Sequence, residues 1–304
     1  MTRNSILITG GSGLVGTQIT ELLLAKGYSV SHLSRKEDFS GIVKKYKWDP
    51  SSKSIDIKAF ENVDHIIHLA GAGIADKRWT DERKKEIIDS RVESTQLLFN
   101  TLKTNKNNVK SIVSASAIGY YGFSKVGSSF AENSEPGSDF LAGVTKDWEK
   151  EVDEFEKINI RVVKLRIGVV LTSKGGALPQ MALPIKLFAG SPLGSGSQIV
   201  SWIDLVDLCN LFVFGIENEN MNGAYNAVAP NPVSNKQLTK AIAKVLHRPV
   251  WPVNVPEFML KIIIGEMQVV VTGSCNVENK RIKEETDFKY IYTDVEESLK
   301  HNLQ

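Results

Sequence analysis

The stretch "ITGGSGLVG" (residues 8–16) decides the fold, because it closes a short β-rich run and begins a run with helical periodicity. Its glycines recur at every third position, as Gly10, Gly13 and Gly16. In such a strand–helix turn, Gly10 permits the tight turn, Gly13 lets the backbone approach a pyrophosphate, and Gly16 lets the helix pack close to the strand. Free N–H groups and the positive helix end then hold phosphates. The stretch therefore predicts a dinucleotide site, and a tight turn without a ligand is the alternative.

Strand and helix patterns alternate over the first half of the chain. Apolar strand-like runs include "SILIT" (5–9), "VDHIIHLAG" (63–71) and "VKSIVSASA" (109–117), and helical patterns occupy 80–105 and 139–158. This alternation is typical of a parallel sheet with helices on both faces. The predicted fold class is therefore α/β, with a doubly wound Rossmann sheet.

The composition changes after residue 170, where a segment rich in glycine, proline and small residues begins. Such a segment predicts a loop with a short helix that covers a ligand cleft. We assign residues 1–170 to an NADP-binding Rossmann domain, to which 201–228 return. Residues 171–200 and 229–304 are assigned to a smaller C-terminal α+β domain that binds substrate.

The residue at the end of the second strand selects the dinucleotide. An acidic residue there would bind the ribose 2′-hydroxyl of NAD, whereas an arginine accommodates the 2′-phosphate of NADP. The sequence reads "HLSRKED", with Ser34 and Arg35 at this point, so NADP (as NADPH) is favoured over NAD. The alternative is a solvated Arg35, with Glu37 or Asp38 binding the ribose of NAD.

The bulk composition is ordinary for a globular protein of 304 residues, with 42% hydrophobic and 24% charged side chains. Lysine and arginine total 37 against 35 acidic residues, a net charge of +2. This balance gives no reason to expect nucleic acid or an anionic membrane as a partner. The expected partner is a small-molecule substrate, and a homodimer stays open.

Cysteine use and apolar runs bear on the compartment. Cys209 and Cys275 are far apart and lack a CxxC spacing, which predicts buried thiols in a reducing, cytoplasmic setting. The opening "MTRNSILITGG" passes directly into a strand, without the pattern of a signal peptide. The apolar run 258–273 is shorter than the roughly 18–20 residues of a membrane span and contains two charges. We therefore predict a buried helix and strand there.

Several motifs together resemble the extended short-chain dehydrogenase/reductase superfamily of nucleotide-sugar epimerases and dehydratases. They are "TGGSGLVG", then "HLAG" (68–71) on a later strand and "SASA" (114–117) at the end of the next. More narrowly, "HLAGAGIADKRWT" (68–80), "SASAIGYYG" (114–122), "FLAGVTKDWE" (140–149) and "SWIDLVDL" (201–208) resemble an atypical, epimerase-like branch with an altered active site. The resemblance covers nearly the whole chain.

The resemblance implies roles for particular residues. Ser116 corresponds to the serine that polarises a substrate oxygen, and Lys146 to the YxxxK lysine that lowers the tyrosine pKa and bonds the nicotinamide ribose. Arg166 lies in the segment that caps the nicotinamide. The residues expected to contact the cofactor are Gly10, Ser12, Gly13, Leu14, Val15, Gly16, Ser34, Arg35, Leu69, Ala70, Gly71, Ser114, Ala115, Lys146, Arg166, Ile167 and Gly168.

The sequence departs from the superfamily pattern at the catalytic end. Ala142 stands where the YxxxK tyrosine is expected, Arg91 stands at a helix position that often holds an active-site asparagine, and Asp147 follows Lys146. Tyr120 and Tyr121 are the nearest substitute acids, and either would need a cation such as Lys146 to lower its pKa. The alternative is that both rings pack a loop against the sheet, with water as the proton carrier.

The remaining polar clusters are less specific. Lys77, Arg78 and Trp79 would suit an anionic or planar substrate, or else form a solvated loop with one buried aromatic ring. Asp204 and Asp207 are interpreted as backbone-binding or capping residues. His65 and His68 lie on opposite faces of a strand, so no metal site is expected.

Three functions remain open from the sequence. The first is an NADPH-dependent oxidoreductase that acts on an unidentified small molecule. The second is a non-catalytic NADP(H) sensor or scaffold, and the third is a nucleotide-sugar epimerase or dehydratase. Two features disfavour the third function. The YxxxK tyrosine is missing, and Arg35 stands where an acidic residue would bind the ribose of NAD.

Overall fold

The computed structural model describes residues 4–123 and 128–304, a mixed α/β structure built around a large, mainly parallel sheet. Its strands are β1 (Ser5–Thr9), β2 (Ser29–Ser34), β3 (Lys44–Asp49), β4 (Ser54–Ile55), β5 (His65–His68), β6 (Ser111–Ala117), β7 (Arg161–Ile167), β8 (Val169–Leu171), β9 (Ile199–Val200), β10 (Trp202–Asp204), β11 (Gly223–Ala227) and β12 (Val233–Ser234). Its helices are α1 (Leu14–Ala25), α2 (Asp81–Thr104), α3 (Phe140–Asp153), α4 (Ala177–Lys186), α5 (Leu205–Glu217), α6 (Asn235–Val245), α7 (Glu257–Ile264), α8 (Gln268–Thr272), α9 (Lys280–Glu285) and α10 (Val295–Leu303).

The main sheet has the order β11-β7-β6-β5-β1-β2-β3-β4. All neighbouring strands run parallel except β3 and β4. The chain reverses its direction of travel across the sheet between β1 and β5, which is the switch point where open α/β sheets bind ligands. The predicted α/β Rossmann class is confirmed.

Helices cover both faces of the sheet. The α1 helix packs against α5, and α2 packs against α3. Because right-handed crossovers leave β1 and β5 in opposite directions, these two pairs cover opposite faces. One apolar core, which includes Ile6, Ile66 and Val113, joins the sheet to both layers.

A second apolar core lies in the C-terminal part of the chain. It brings Trp202 and Leu171 together with Leu178 of α4, Leu238 of α6 and Leu299 of α10. The β11 strand lies in the main sheet beside β7, so residues 223–227 are part of the Rossmann sheet.

Side-chain caps begin five of the ten described α-helices. Thr80 accepts a hydrogen bond from the Arg83 N–H at 3.2 Å and begins α2, as its sequence pattern predicts. Asp139 caps α3 in the same way. Asp204 caps α5 through the Val206 N–H, so this helix begins directly after the strand β10. Asp207 accepts the backbone N–H groups of Ile291 and Tyr292.

The segment 258–273 differs from its prediction as a buried helix and strand. It forms the short helices α7 and α8, joined by a 3₁₀ turn, and contains no strand. Phe258, Ile262 and Ile263 are more than half exposed. The run is apolar without a polar face, so its sequence gives no sign of which residues contact the protein. No helix in the described ranges is long and apolar enough to cross a membrane.

Candidate functional site

The glycine turn after β1 has the close contacts expected of a dinucleotide loop. A Cβ atom on Gly16 would lie 2.3 Å from the Gly10 carbonyl oxygen, so only glycine lets α1 approach β1 this closely. Gly10 has a φ of +68° and faces the Leu69 carbonyl. At Gly13, the only nearby atom for such a Cβ is the Gly10 oxygen, at 3.2 Å. The outer side of Gly13 is therefore open to a ligand.

The N-terminus of α1 is available to phosphate. Gly13 is its N-cap and supplies no side-chain acceptor. The N–H groups of the first helical turn, from Leu14, Val15 and Gly16, lack partners within the helix. Ser12 is exposed beside them. These residues fit the phosphates of a dinucleotide.

A buried relay of hydroxyls and one imidazole fixes the neighbouring loop. The Leu69 and Ala70 N–H groups donate to the Thr9 hydroxyl, which contacts His68 Nδ1 at 2.8 Å. His68 Nε2 contacts Thr95 Oγ1 at 3.0 Å, and Thr95 donates its own proton to the Arg91 carbonyl. His68 must therefore carry its proton on Nε2 and accept from Thr9, which requires the neutral imidazole. Burial lowers the pKa of His68 to about 3.

A second buried histidine supports the glycine turn from behind. A Cβ on Gly11 would lie 2.5 Å from the His32 ring. His32 Nε2 contacts Thr20 Oγ1 at 2.9 Å, and Thr20 donates to the Gly16 carbonyl. Burial, with the positive charge of Lys45, lowers the pKa of His32 to about 4.

The end of β2 presents cations to the solvent. Arg35 and Lys36 are exposed, and Ser34 accepts a hydrogen bond from the Lys36 N–H at 3.4 Å. The Asp38 carboxylate bonds Ser40 at 2.7 Å and Lys45 at 3.1 Å. Hydrogen bonds from Ser40 and the ion pair with Lys45 hold the Asp38 pKa at about 2. Asp38 is thus already bound within the protein, which weakens its case as a ribose ligand.

The hydroxyl of Ser116 forms a hydrogen bond within the protein. It donates to Glu149 Oε1 of α3 at 2.5 Å, and the side chain is only 4% exposed. Arg166, paired across the strands with Ser116, bonds both Glu149 oxygens at 2.8 Å. Ser116 and Arg166 both bond Glu149 in this structure, so their predicted roles beside the substrate and the nicotinamide stay predictions.

Tyr121 belongs to the same buried network. Its hydroxyl donates to Asn226 Oδ1 at 2.7 Å and accepts from Arg166 at 2.8 Å. Burial raises its pKa to about 12, the opposite of what an acid–base tyrosine requires. These bonds and the raised pKa weigh against Tyr121 as a substitute acid. Tyr120 differs: its ring lies over the Arg166 guanidinium at 3.5 Å, and its hydroxyl bonds no other described residue.

The α3 side chains beside Gly119 are Leu141 and Thr145, each one residue before the expected Ala142 and Lys146. A Cβ on Gly119, beyond the end of β6, would lie 3.4 Å from Leu141 Cβ and 3.7 Å from Thr145 Oγ1. These side chains, with Glu149 one turn later, form the face that meets the strand end. Lys146 is rotated by about 100° from Thr145 and is exposed. Lys146 thus lies at the helix surface without a hydrogen bond or ion pair to the described residues, and its contact with the nicotinamide ribose stays a prediction.

Ala142, which stands where the YxxxK tyrosine is expected, lies on the covered side of α3. The alanine is fully buried within the protein. Asp147, next to Lys146, is exposed and forms no ion pair with the described residues. The catalytic end therefore lacks both members of the YxxxK pair on its inward face.

The other predicted cofactor contacts lie along the carboxyl edge of the sheet. Gly71 is exposed in the loop after β5. In the middle of β6, Ser114 is buried and donates to the Ala115 carbonyl. Ile167 ends β7, and a Cβ on Gly168 would lie 2.6 Å from the Ser201 carbonyl.

The loop before α2 is anchored by an aromatic contact. Trp79 packs edge-on against Phe140 with ring centroids 5.1 Å apart, and its indole N–H donates to the Ile74 carbonyl. Lys77 and Arg78 are exposed. The described residues contain no cluster of three or more metal-binding side chains. Burial raises the pKa of both thiols, Cys209 and Cys275, to about 12.

Two features of the site were missed from the sequence. Glu149 is central to the buried network, and its signal was its spacing of one helical turn from Thr145 and two from Leu141. Arg91 was noted only as a departure, although it is buried beside Gly71. No local pattern marks an arginine as buried, so only the packing of α2 reveals it.

The glycine turn, the open helix N-terminus and the parallel switch point together define an NAD(P)-binding Rossmann protein. The family model described as "NAD dependent epimerase/dehydratase family" matches residues 6–228, and a "Domain of unknown function (DUF1731)" matches residues 255–301. The chain belongs to this epimerase/dehydratase family.

Individual relatives match over almost the full chain. Epimerase family protein YfhF of Bacillus subtilis is 36% identical, covering 97% of this chain and 96% of the relative. The chloroplastic SDR39U1 homolog of Arabidopsis thaliana is 35% identical, covering 99% and 87%. A crystal structure of human epimerase family protein SDR39U1 (isoform 2) with NADPH superposes with a TM-score of 0.86 at 28% identity, covering 98% of each chain.

A bacterial enzyme structure is also similar. The nucleoside-diphosphate sugar epimerase from Corynebacterium glutamicum has a TM-score of 0.81 at 31% identity, covering 99% of this chain and 58% of that one. MoeE5 in complex with UDP-glucuronic acid and NAD has a TM-score of 0.76 at 18% identity, a likeness of fold alone.

Proposed function

We propose that the protein is an NADP(H)-dependent oxidoreductase that acts on an unidentified small molecule. The observation that carries the NADP(H) part is the end of β2, where Arg35 and Lys36 are exposed while the Asp38 carboxylate is occupied by Ser40 and Lys45. A guanidinium there suits a 2′-phosphate. The similar human structure with NADPH supports the same choice.

Different parts of the chain bind different parts of the dinucleotide. The N-terminus of α1 and the turn at Gly13 bind the phosphates, and the loop of Leu69, Ala70 and Gly71 lines the path of the cofactor. When bound, the nicotinamide supplies the hydride chemistry. The chain has then to orient the substrate and supply or accept one proton.

Tyr120 is the remaining candidate for that proton. Ser116 and Tyr121 are bound in the buried network, and Lys146 is exposed. General acid–base catalysis contributes typically about 10²–10⁴-fold. Tyr120→Phe should therefore lower the rate of NADPH oxidation by about that factor once a substrate is found, with the thermal midpoint nearly unchanged.

Tyr121→Phe is the matched control, since it removes a hydroxyl from the adjacent ring. It should lower stability by about 1–3 kcal/mol, because Arg166 and Asn226 lose a buried partner. If Tyr120→Phe keeps full turnover, water or another group carries the proton and the role of Tyr120 is refuted.

The cofactor preference is tested by binding. Charge-assisted hydrogen bonds contribute about 1.5–3 kcal/mol, so Arg35→Ala should weaken NADPH binding by about ten- to a hundredfold and leave NADH binding unchanged. Glu37→Gln is the control and should alter neither affinity. Tighter binding of NADH than NADPH by the unaltered protein, lost in Glu37→Gln, would overturn the preference.

A non-catalytic NADP(H) sensor is the second candidate. The observation that favours it is that Ser116 is bound to Glu149 while Lys146 points to the solvent. A sensor binds a partner protein differently in the NADP⁺ and NADPH states and gives no turnover with any carbonyl compound. Measured NADPH oxidation that requires Tyr120 would exclude it.

A further inference from the structure

Arg91 is a buried guanidinium beside the crevice at the carboxyl edge of the sheet. It projects from the middle of α2, and a Cβ on Gly71 would lie 3.1 Å from its Cζ atom. Its Nη1 donates to the Ala72 carbonyl at 3.1 Å and the Ile87 carbonyl at 3.0 Å. The side chain is 9% exposed. Gly71, which is exposed and has no side chain, lies directly beside the guanidinium.

Arg91 differs from the other buried cations in the described parts of the chain, because it has no carboxylate partner. Arg83 pairs with Glu86 at 2.6 Å, Lys164 with Asp153 at 2.5 Å, and Arg166 with Glu149 at 2.8 Å. Buried charges without a counter-charge are costly in folded proteins, and their retention calls for a ligand or a functional reason.

The half-buried Arg161 shows how a guanidinium is satisfied by carbonyls alone. It donates to the Gly215, Ile216 and Met221 carbonyls, at the C-terminal end of α5. The partial negative charge of a helix C-terminus compensates a cation. Arg91 instead bonds a carbonyl inside α2 and one loop carbonyl, where no helix end contributes.

The surroundings of Arg91 leave part of its hydrogen-bonding capacity unused. Nε and Nη2 bond no described residue, although a guanidinium has five N–H donors in a planar fork. The Trp148 ring lies 5.2 Å from Cζ and holds the plane of the fork. Burial and the nearby charge of Arg83 lower the Arg91 pKa to about 10, so the side chain stays cationic at neutral pH.

We propose that Arg91 binds a carboxylate or phosphate group of the ligand that occupies this crevice, with Gly71 as the opening through which the anion reaches it. A planar fork suits either group in a bidentate pair. The proposal rests on the proposed function, in that a dinucleotide and its substrate share the crevice. The anion belongs either to an acidic substrate or to the cofactor, and the two sources are separable by experiment.

The test compares Arg91→Gln with Arg91→Lys and with the control Arg161→Gln. Calorimetry measures NADPH affinity for each protein. The NADPH-bound proteins are then titrated with 2-oxoglutarate, its dimethyl ester and inorganic phosphate. For a substrate anion, the unaltered protein prefers the free acid over the ester by tenfold or more, and Arg91→Gln removes this preference while NADPH affinity changes less than twofold.

For a cofactor anion, Arg91→Gln weakens NADPH binding by tenfold or more. Arg91→Lys keeps part of either effect, and Arg161→Gln shows neither. Because Arg91→Gln removes an unpaired buried charge, its thermal midpoint without ligands should equal or exceed that of the unaltered protein, which separates loss of binding from loss of folding. Equal NADPH affinity in Arg91→Gln, together with no preference for the acid or for phosphate in the unaltered protein, overturns the proposal. These are binding measurements, so a failure to oxidise NADPH would refute the proposed function alone.

Discussion

At the scale of single residues, Gly13 and Gly16 lie in one turn but have different physical tasks. Gly16 touches backbone: its Cβ would meet the Gly10 oxygen at 2.3 Å and the Gly11 Cα at 2.7 Å. Gly13 touches little of the protein and faces the ligand. One glycine is therefore required by the fold and the other by the cofactor, as their positions in the motif predict.

Alanine at each position separates the two tasks. Gly16→Ala should destabilise the protein by about 1–3 kcal/mol, because the added methyl group overpacks a backbone contact. Gly13→Ala should change the free energy of unfolding by less than about 1 kcal/mol but weaken NADPH binding at least tenfold, because its Cβ occupies the path of the phosphates. Urea unfolding and calorimetry measure both. Loss of stability in Gly13→Ala alone would contradict this division.

The catalytic predictions depend at the residue scale on the helical phase of α3. A one-residue error in helical phase turns a side chain by about 100°, so Lys146 and Thr145 cannot face the same way. Lys146 follows Ala142 by four residues, and Thr145 follows Leu141 by four residues. The spacing alone therefore fits either pair. Only the contact of α3 with Gly119 and Ser116 fixes which pair faces the strand end.

At the scale of elements, prediction succeeded where periodicity and capping agreed. The α2 helix has both a helical pattern and the Thr80 cap, and β5 has a continuous apolar run. By contrast, β3 reads "KKYKWD", a half-exposed strand near the sheet edge whose charges conceal it. The prediction for the run that forms α7 was wrong for the opposite reason. Its apolar residues imply burial, but the structure leaves several of them exposed.

The α7 helix offers a test of that correction. Leu260 is 8% exposed and Ile262 is 72% exposed, only two residues away on the same helix. Ile262→Lys should change the free energy of unfolding by less than about 0.5 kcal/mol, as for an ordinary surface substitution. Leu260→Lys, the matched control, should cost more than about 3 kcal/mol, because it buries a charge. Equal, large losses measured by urea unfolding would mean that Ile262 is covered in solution.

At the scale of the whole molecule, three buried histidines make the stability of the fold sensitive to acid. His32 supports the glycine turn, His68 fixes the Leu69–Ala70 loop, and His65 bonds Ser111 of the next strand at 2.8 Å. Burial lowers the pKa of His32 and His65 to about 4 and that of His68 to about 3. The sheet that builds the site is thus held by imidazoles that must stay neutral.

The direction of the pH effect follows from these pKa values. An unfolded histidine titrates near about 6.5, so above this pH all three are neutral in both states and their contribution to stability is complete. As the pH falls below 6.5, the unfolded chain takes up protons that the folded chain refuses until about pH 4. The free energy of unfolding should fall by up to about 1.4 kcal/mol per pH unit for each histidine.

His68 is the buried histidine nearest to the cofactor loop, and in the folded protein it is protonated only at about pH 3. Protonation would place an N–H on Nδ1 opposite the Thr9 hydroxyl, which already receives the Leu69 and Ala70 N–H groups. Because the folded protein keeps His68 neutral down to about pH 3, we expect NADPH affinity to stay unchanged from pH 6.5 to 4.5, where the salt-bridged Asp38 is still ionised, while the free energy of unfolding falls. Urea unfolding and calorimetry at half-unit steps measure both curves. His68→Gln should flatten the stability curve by one histidine's share, whereas substitution of the exposed His301 should leave it unchanged; equal slopes in all three proteins would refute the assignment.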